Sequence, residues 1–507
     1  MTDLRDDKPL WGLGEVLRIS LPASLSMLNS TLMQFVDGLM VSRVGAPSLA
    51  AQFVGGIMAF VPTSFALGML TVVNTYVSQN LGAGRRRRCG QYTWAGMAVA
   101  AVYALLLAPV LAGLAGPIMG LIGRAVGVVR EATGVAAGST DTAARVIDLQ
   151  AMYFRWMVLG MPLFLIGRAL EQFFFGIHRP SIVLLSSLAA NLVNAGLNYV
   201  LIFGKLGLPA LGLEGAAIGT ISSSGLLMLI LLAVFLRRRM HEQFATRRPR
   251  DATFAECRDI ARIGWPAGIQ FSNDVLSWGV FTSVLVGMFG TAHLAANTAA
   301  MRYVSISFMP AVGVGIATTA LVGRYIGEGR PHLARRRAHA AVLAAMTYMG
   351  LCALAFVVLR YEMMELFVTS APQTGEAAAI PPQRIVSVGV RILVCAAVFQ
   401  LFDALGIVFV GALRGAGDTH WPMLMTIALS WSVTVGGGLA VVYLVPGLES
   451  LGPWLAASAY VIVLGLLLAW RFESGAWRRI DLLGHGPGTP GQTPTAAPAD
   501  DNEPSTR

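Results

Sequence analysis

The sequence predicts an all-α polytopic membrane protein, with twelve transmembrane helices in two pseudo-symmetric six-helix bundles. Three observations carry that prediction. Of the 507 residues, 55% are hydrophobic and 13% charged, and the mean hydropathy is +0.65, too apolar for a soluble domain. The apolar residues also fall into separate runs of about 20 or more, the length that crosses a bilayer as a helix. Finally, the chain repeats itself: VSQNLGAGRRRR from Val77 returns as VGRYIGEGRPHLARRR from Val322. Each copy closes an apolar run with a Gly-x-Gly turn and a basic cluster. At the same offset Val44-Gly45 meets Phe289-Gly290 and Ala50-Ala51 meets Ala295-Ala296, and with a slip of one residue Pro22-Ala23 meets Pro266-Ala267. Two homologous halves in one membrane chain point to transport.

Taken in order, the runs place spans near 15–43, 50–80, 90–116, 150–177, 181–203 and 212–236, then near 258–288, 293–325, 338–368, 386–412, 420–444 and 451–471. The first set makes an N-lobe of residues 1–236 and the second a C-lobe of residues 258–472. Between them, residues 237–257 are polar, basic and interrupted by proline, as expected of a cytoplasmic linker. Residues 118–149 hold Arg124, Arg130, Glu131, Asp141 and Arg145 among small residues, too much charge to span, and are expected to be an external connector. From residue 473 a cytoplasmic tail is expected, rich in Pro, Gly and Thr from Gly484 onward and disordered.

The net charge is +10, so the placement of the basic residues matters. Arg85 to Arg88, Arg179, Arg237 to Arg239, Arg335 to Arg337, Arg414, Arg478 and Arg479 all follow even-numbered spans. By the positive-inside rule this puts both termini in the cytoplasm of a multi-pass protein of the inner (plasma) membrane. The clusters suit contact with the lipid bilayer. Nucleic-acid binding would need groove-reading or aromatic elements, which are lacking. Cys89, Cys257, Cys352 and Cys395 stand singly, with no metal-ligand or redox spacing. No cleavable signal is expected, since Asp3, Asp6 and Asp7 precede a first apolar run long enough to remain a span.

Four acids fall well inside predicted spans: Asp37, Glu171, Asp274 and Asp403. Each costs about 2.5 to 3.5 kcal/mol at a helix centre, so each is expected to face a cavity or a partner. Glu171 has Arg168 one turn earlier, and a structural pair is expected there. Asp37 has no Lys or Arg within a turn and follows Asn29, Ser30, Thr31 and Gln34. It is the candidate for a titratable carboxyl in a polar cavity, able to bind and release a proton. Pro22 removes a backbone hydrogen bond in the same helix and supplies a hinge candidate.

In the fifth span Asn194 and Asn198 share a face, where their amides can bond Asp37, coordinate a cation or glue helices together. In the C-lobe Asp274 and Asp403 form a second set, each one turn from an amide, Gln270 and Gln400, and able to offer carboxylate oxygens to a sodium ion. Gln34, Gln270, Met301 and Gln400 are candidates for a substrate cavity, Met301 among Met and aromatic residues that suit a pliable surface for organic cations.

These motifs converge on a family. LPASLSMLNSTLMQFVDGLMVSRVGAPSLAA from Leu21, NLVNAGLNYVLIFG from Asn191, LGLEGAAIGT from Leu211 and FDALGIVFVGALRGAGDTHWPM from Phe402 together resemble the MATE (multidrug and toxic compound extrusion) family. The resemblance implies two six-helix bundles in a V, related by a pseudo-twofold axis along the membrane normal, exporting organic cations in exchange for H+ or Na+. It matches Asp37 to the family's first-helix acid, Pro22 to the bend point of its proton-driven branch, Asn194 to a fifth-helix Asn near that acid, and Thr220 to a polar sixth-helix position of the same pocket. Asn198 stands where that branch often has Asp. Asp403 matches the tenth-helix acid of the sodium-coupled branch, Asp274 falls where that branch carries Glu, and Phe399 replaces a Tyr. Both ions and both lobes remain candidates for coupling.

A monomer that needs no cofactor beyond the coupling ion is expected. A lipid-linked precursor flippase of the wider superfamily is the alternative, kept open by intramembrane Arg155, Arg168, Arg302 and Arg391. An intramembrane enzyme would need a convergent His-rich or nucleophile-base motif, and seven scattered His residues supply none. A passive channel is the remaining rival.

Overall fold

The computed structural model describes residues 12–133, 140–370 and 381–484, which are almost entirely helical, with no strand among the described residues. The N-lobe is built from α1 (Leu13–Ser42), α2 (Ala46–Leu70), α3 (Val72–Gly82), α4 (Arg86–Gly113), α5 (Ala115–Thr133), α6 (Thr140–Leu159), α7 (Met161–Gly176), α8 (Pro180–Phe203) and α9 (Leu213–Phe235). α10 (Arg238–Phe244) lies in the linker. The C-lobe contains α11 (Phe254–Val280), α12 (Thr291–Gly327), α13 (Pro331–Val358), α14 (Arg360–Ser370), α15 (Pro382–Ala416), α16 (His420–Leu429), α17 (Gly438–Leu444) and α18 (Leu451–Glu473). Helices dominate because a backbone in hydrocarbon must satisfy its own polar groups within each segment.

Among the described residues nine helices are long and apolar enough to cross a membrane by themselves, and ten if the bent pair α6 and α7 is one span. The two expected spans outside that set are α1 and α11, the first of each lobe. α1 carries Glu15, Arg18 and Asp37, and α11 carries Glu256, Arg258, Asp259, Arg262 and Asp274. Their charge is tolerated because both helices lie between the lobes, α1 against α12 and α2 against α11. Span one packs on span eight and span two on span seven, the pairing that a twofold relation requires.

Two segments differ in detail from their expected forms. The described parts of residues 118–149 are helical: α5 packs on α6, and α6 runs into α7 across a 45° bend at Gly160, where Pro162 opens the new helix. The fourth span therefore starts earlier than its apolar run. After α18 the chain does not leave the protein at once: Ala476–Arg479 form a short 3-10 turn, Trp477 is buried against Phe472, and Leu482 lies over Gly417. Of the expected tail, residues 485–507 lie outside the described residues.

The repeated Gly-x-Gly is where the halves meet. A Cβ on Gly82 would sit 2.0 Å from the Arg324 carbonyl oxygen, and one on Gly327 would sit 2.0 Å from the Gln79 carbonyl oxygen. Gln79 and Arg324 occupy equivalent places in the two copies, so the contact is reciprocal. The second glycine of each motif, Gly84 at φ +74° and Gly329 at φ +70°, makes a left-handed turn that an L side chain rarely adopts. One motif thus supplies both a close helix approach and the turn that ends it.

Candidate functional site

The basic ends of α3 and α12 form a seam that closes one face of the molecule. α3 is buried from Val72 to Asn80 although Asn74, Thr75, Ser78, Gln79 and Asn80 are polar: Ser78 and Asn80 bond carbonyls of their own helix, and the other three donate across the seam to carbonyls of the other lobe. Asn74 Nδ2 reaches Ile316 O at 3.3 Å, Thr75 Oγ1 reaches Arg414 O at 2.9 Å and Gln79 Nε2 reaches Gly415 O at 2.9 Å. Beside them Glu15 on α1 accepts from the Tyr325 hydroxyl at 2.8 Å and from Arg337 Nε at 2.7 Å, with Arg324 Nη1 at 3.8 Å. Burial lowers the pKa of His178, in the turn after α7, which keeps the ring neutral; its Nε2 faces Ala320 O at 3.2 Å and its Nδ1 faces Arg324 Nη1 at 3.5 Å.

Toward the opposite face the lobes disengage. Ser24 Oγ to Pro310 O at 2.6 Å and Ser64 Oγ to Ser272 Oγ at 3.1 Å lie near mid-depth, and beyond them no hydrogen bond joins the lobes among the described residues. The molecule is a V, closed at its basic face.

Asp37 sits near the far end of α1, away from the seam, and is 9% exposed. Asn198 on α8 donates through Nδ2 to Asp37 Oδ1 at 2.6 Å and to Asn194 Oδ1 at 2.8 Å. Asn194 Nδ2 continues to Ser223 Oγ at 2.9 Å on α9, and Ser223 in turn donates to Thr220 O at 2.9 Å. Three helices of one lobe are thereby tied into a single polar chain ending on a carboxylate. The Thr220 side chain is elsewhere: its hydroxyl bonds Ala216 O one turn back, and the residue joins the chain through its carbonyl. Tyr153 on α6 lies within electrostatic range of Asp37.

Ser223, Tyr153 and Gly219 are additions that sequence patterns do not single out. Gly219 faces Asn198 so closely that a Cβ would lie 2.0 Å from Asn198 Oδ1, and that oxygen has no hydrogen-bond partner. Asn198 is fully buried, so it cannot swing aside without giving up Asp37 or Asn194. Gly219→Ala is expected to leave the protein folded, at a cost of about 1 to 3 kcal/mol, and to cut transport by about tenfold or more. Wild-type transport by a folded variant would contradict the role assigned to this contact.

The C-lobe repeats the scaffold but not the acid. Asn29 donates to Ser187 Oγ at 3.2 Å in the N-lobe, and its repeat partner Asn273 donates to Ser430 Oγ at 2.9 Å in the C-lobe. The residue equivalent to Asp37 is Phe281, fully buried among Trp278 and Trp454. Asp274 and Asp403 lie elsewhere, half-buried inside the lobe and within electrostatic range of each other and of Tyr460, with Arg414 in range of Asp274.

Of the substrate-cavity candidates, Gln34 is exposed and Met301 half-buried. Gln270 is buried on Thr426 Oγ1 at 3.1 Å, and Gln400 is fully buried on Ser307 Oγ at 2.6 Å. Pro22 is accommodated inside an unbroken α1. Glu171 pairs with Arg168 at 2.5 Å, as its spacing predicts.

A two-lobed membrane protein, sealed on one face and carrying isolated carboxylates within its helices, is built as a transporter and not as an enzyme. The MatE family model matches residues 22–200 and 272–436, and the chain belongs to that family. It is 29% identical over 461 residues to a "Probable multidrug resistance protein NorM" of Burkholderia pseudomallei, covering 90% of this chain and 92% of that protein. A protein of the same description from Bradyrhizobium diazoefficiens is 29% identical over 479 residues, covering 92% and 94%. Among solved structures, the Vibrio cholerae MATE transporter VcmN superposes with a TM-score of 0.79 at 17% identity, covering 94% of this chain and 99% of that one.

Proposed function

We propose that this protein is a multidrug efflux antiporter of the inner membrane, with its termini and basic face in the cytoplasm, that exports organic cations in exchange for H+ or Na+ by alternating access. The observation that carries the proposal is the buried Asp37–Asn198–Asn194–Ser223 chain, set in the part of the N-lobe that the seam leaves unsealed. In the outward-facing state a cation loads on Asp37, or on the Asp274 and Asp403 pair, and displaces a cationic substrate. Discharge to the cytoplasm requires the Gly-x-Gly seam and the Glu15 contacts to part. Pro22 is the hinge at which α1 bends in that transition.

Competition for the carboxylates couples the two fluxes. One-for-one exchange of monovalent cations is electroneutral, so a pH difference of one unit drives substrate with about 1.4 kcal/mol, roughly a tenfold gradient. The test is efflux of a fluorescent organic cation from proteoliposomes under imposed pH or sodium gradients, each alone. A response to the pH gradient that is lost in Asp37→Asn and kept in Asp403→Asn assigns proton coupling to the N-lobe; a sodium response with the opposite pattern assigns sodium coupling to the C-lobe. Efflux indifferent to both gradients would overturn the antiporter.

A flippase for lipid-linked anions would need a basic central cavity. Arg168 is neutralised by Glu171, and Arg155 Nε donates to Ala112 O at 3.3 Å, so local partners occupy both. That use of the two arginines favours cation export.

A further inference from the structure

A cavity of about 400 Å³ opens outside the transport pathway, on the outer side of the N-lobe where α8, α9 and α10 meet at the basic face. Arg179, Arg237 and Arg239 line it on the side of the basic face, together with Ile182, Leu185 and Val234 farther along α8 and α9. We propose that it is a binding site for one anionic phospholipid, with the headgroup phosphate among the three guanidinium groups and an acyl chain in the groove between α8 and α9.

Charge is the first argument. No carboxylate lines the cavity. Arg179 makes only neutral contacts, Nη2 to Gln243 Oε1 at 3.3 Å and Nη1 to Met240 Sδ at 3.9 Å, and Arg237 and Arg239 are in no ion pair among the described residues. Arg238, between them in sequence, is by contrast paired with Glu242 at 2.8 Å. Three arginines left without an acid repel one another unless an anion joins them, and guanidinium is the side chain whose donor geometry matches phosphate.

Depth is the second argument. The arginines sit where α8 begins and α9 ends, at the membrane boundary, while the wall below them is apolar and continuous with the lipid-facing surface. Leu185, in that wall, is 66% exposed. A soluble phosphate would use the mouth and leave the groove empty, whereas a phospholipid uses both. Basic pockets between membrane helices on the cytoplasmic side hold anionic headgroups for this reason.

The test is native mass spectrometry of the full chain in neutral detergent, titrated with phosphatidylglycerol or with phosphatidylcholine of the same acyl length. Phosphatidylglycerol is expected to be retained roughly tenfold better. In the double variant Arg237→Gln with Arg239→Gln its retention is expected to fall to the phosphatidylcholine level, with the melting temperature in lipid-free detergent unchanged, while Arg238→Gln retains it like wild type. Equal retention of the two lipids, or wild-type retention by the double variant, would overturn the proposal. So would complete displacement of phosphatidylglycerol by millimolar inorganic phosphate, which would mark a site for the free anion.

Discussion

Asp37→Asn is expected to abolish gradient-driven export, by about a hundredfold or more, while the protein folds and inserts as before. The substitution keeps the shape and an oxygen that can accept the 2.6 Å bond from Asn198, so the chain through Asn194 and Ser223 survives. Only the ability to carry a charge is lost. Stability should hold or rise, because a neutral amide is cheaper to bury within a span than a carboxylate. Export measured in vesicles, beside a melting curve of the same preparation, separates the two effects. A folded variant with wild-type export would remove Asp37 from the mechanism.

The second large effect is expected at the seam. Gly327→Val places its Cβ on the Gln79 carbonyl, 1.4 Å short of ordinary contact (3.4 − 2.0), and the obstacle is backbone that cannot rotate away. The lobes must separate at the basic face, at a cost of about 1 to 3 kcal/mol in the closed state, which is a shift of roughly fivefold to a hundredfold toward the open one. Transport is expected to fall at least tenfold. A cysteine placed at the fully buried Ser78, by Ser78→Cys, should become reactive to a water-soluble maleimide added from the basic side. Gly82→Val, its partner across the pseudo-twofold axis, should behave alike. Unchanged transport together with an unreactive cysteine would mean that the glycines are not what the seam depends on.

The fold was legible in the sequence to the extent that hydrophobicity and repetition encode it. The apolar runs and the two halves follow from hydropathy along the chain and from the repeat, and the runs of α1 and α11 were legible despite their charge because they are long. The Glu171 pair with Arg168 was legible because its partner is one turn away on the same helix. Asp37 stood out because an unpaired acid in a span is costly and therefore rare.

Most of what escaped depends on partners distant in the chain. The repeated Gly-x-Gly is plain to see, but that Gly82 rests on Arg324 and Gly327 on Gln79 follows only once the lobes face each other. Ser223 and Gly219 belong to a stretch of small residues with nothing to rank one above another, and helix geometry alone sends the Thr220 hydroxyl to Ala216 O. Gln400, attractive beside Asp403, is spent on Ser307, a contact across two helices that spacing within α15 does not disclose. The repeat does not disclose that Phe281 fills in the C-lobe the place that Asp37 holds in the N-lobe.

The central claim is that occupancy of Asp37 by a cation and occupancy of the cavity by substrate exclude each other. Measuring both fluxes at once in proteoliposomes tests it most directly: dye efflux by fluorescence, and counter-movement of H+ or Na+ by an internal indicator, in wild type and Asp37→Asn. In wild type each flux is expected to require the other, with ion entry ceasing when substrate is withheld, and both are expected to vanish together in the variant. Substrate efflux that persists at full rate without counter-ion movement, in either protein, would contradict it.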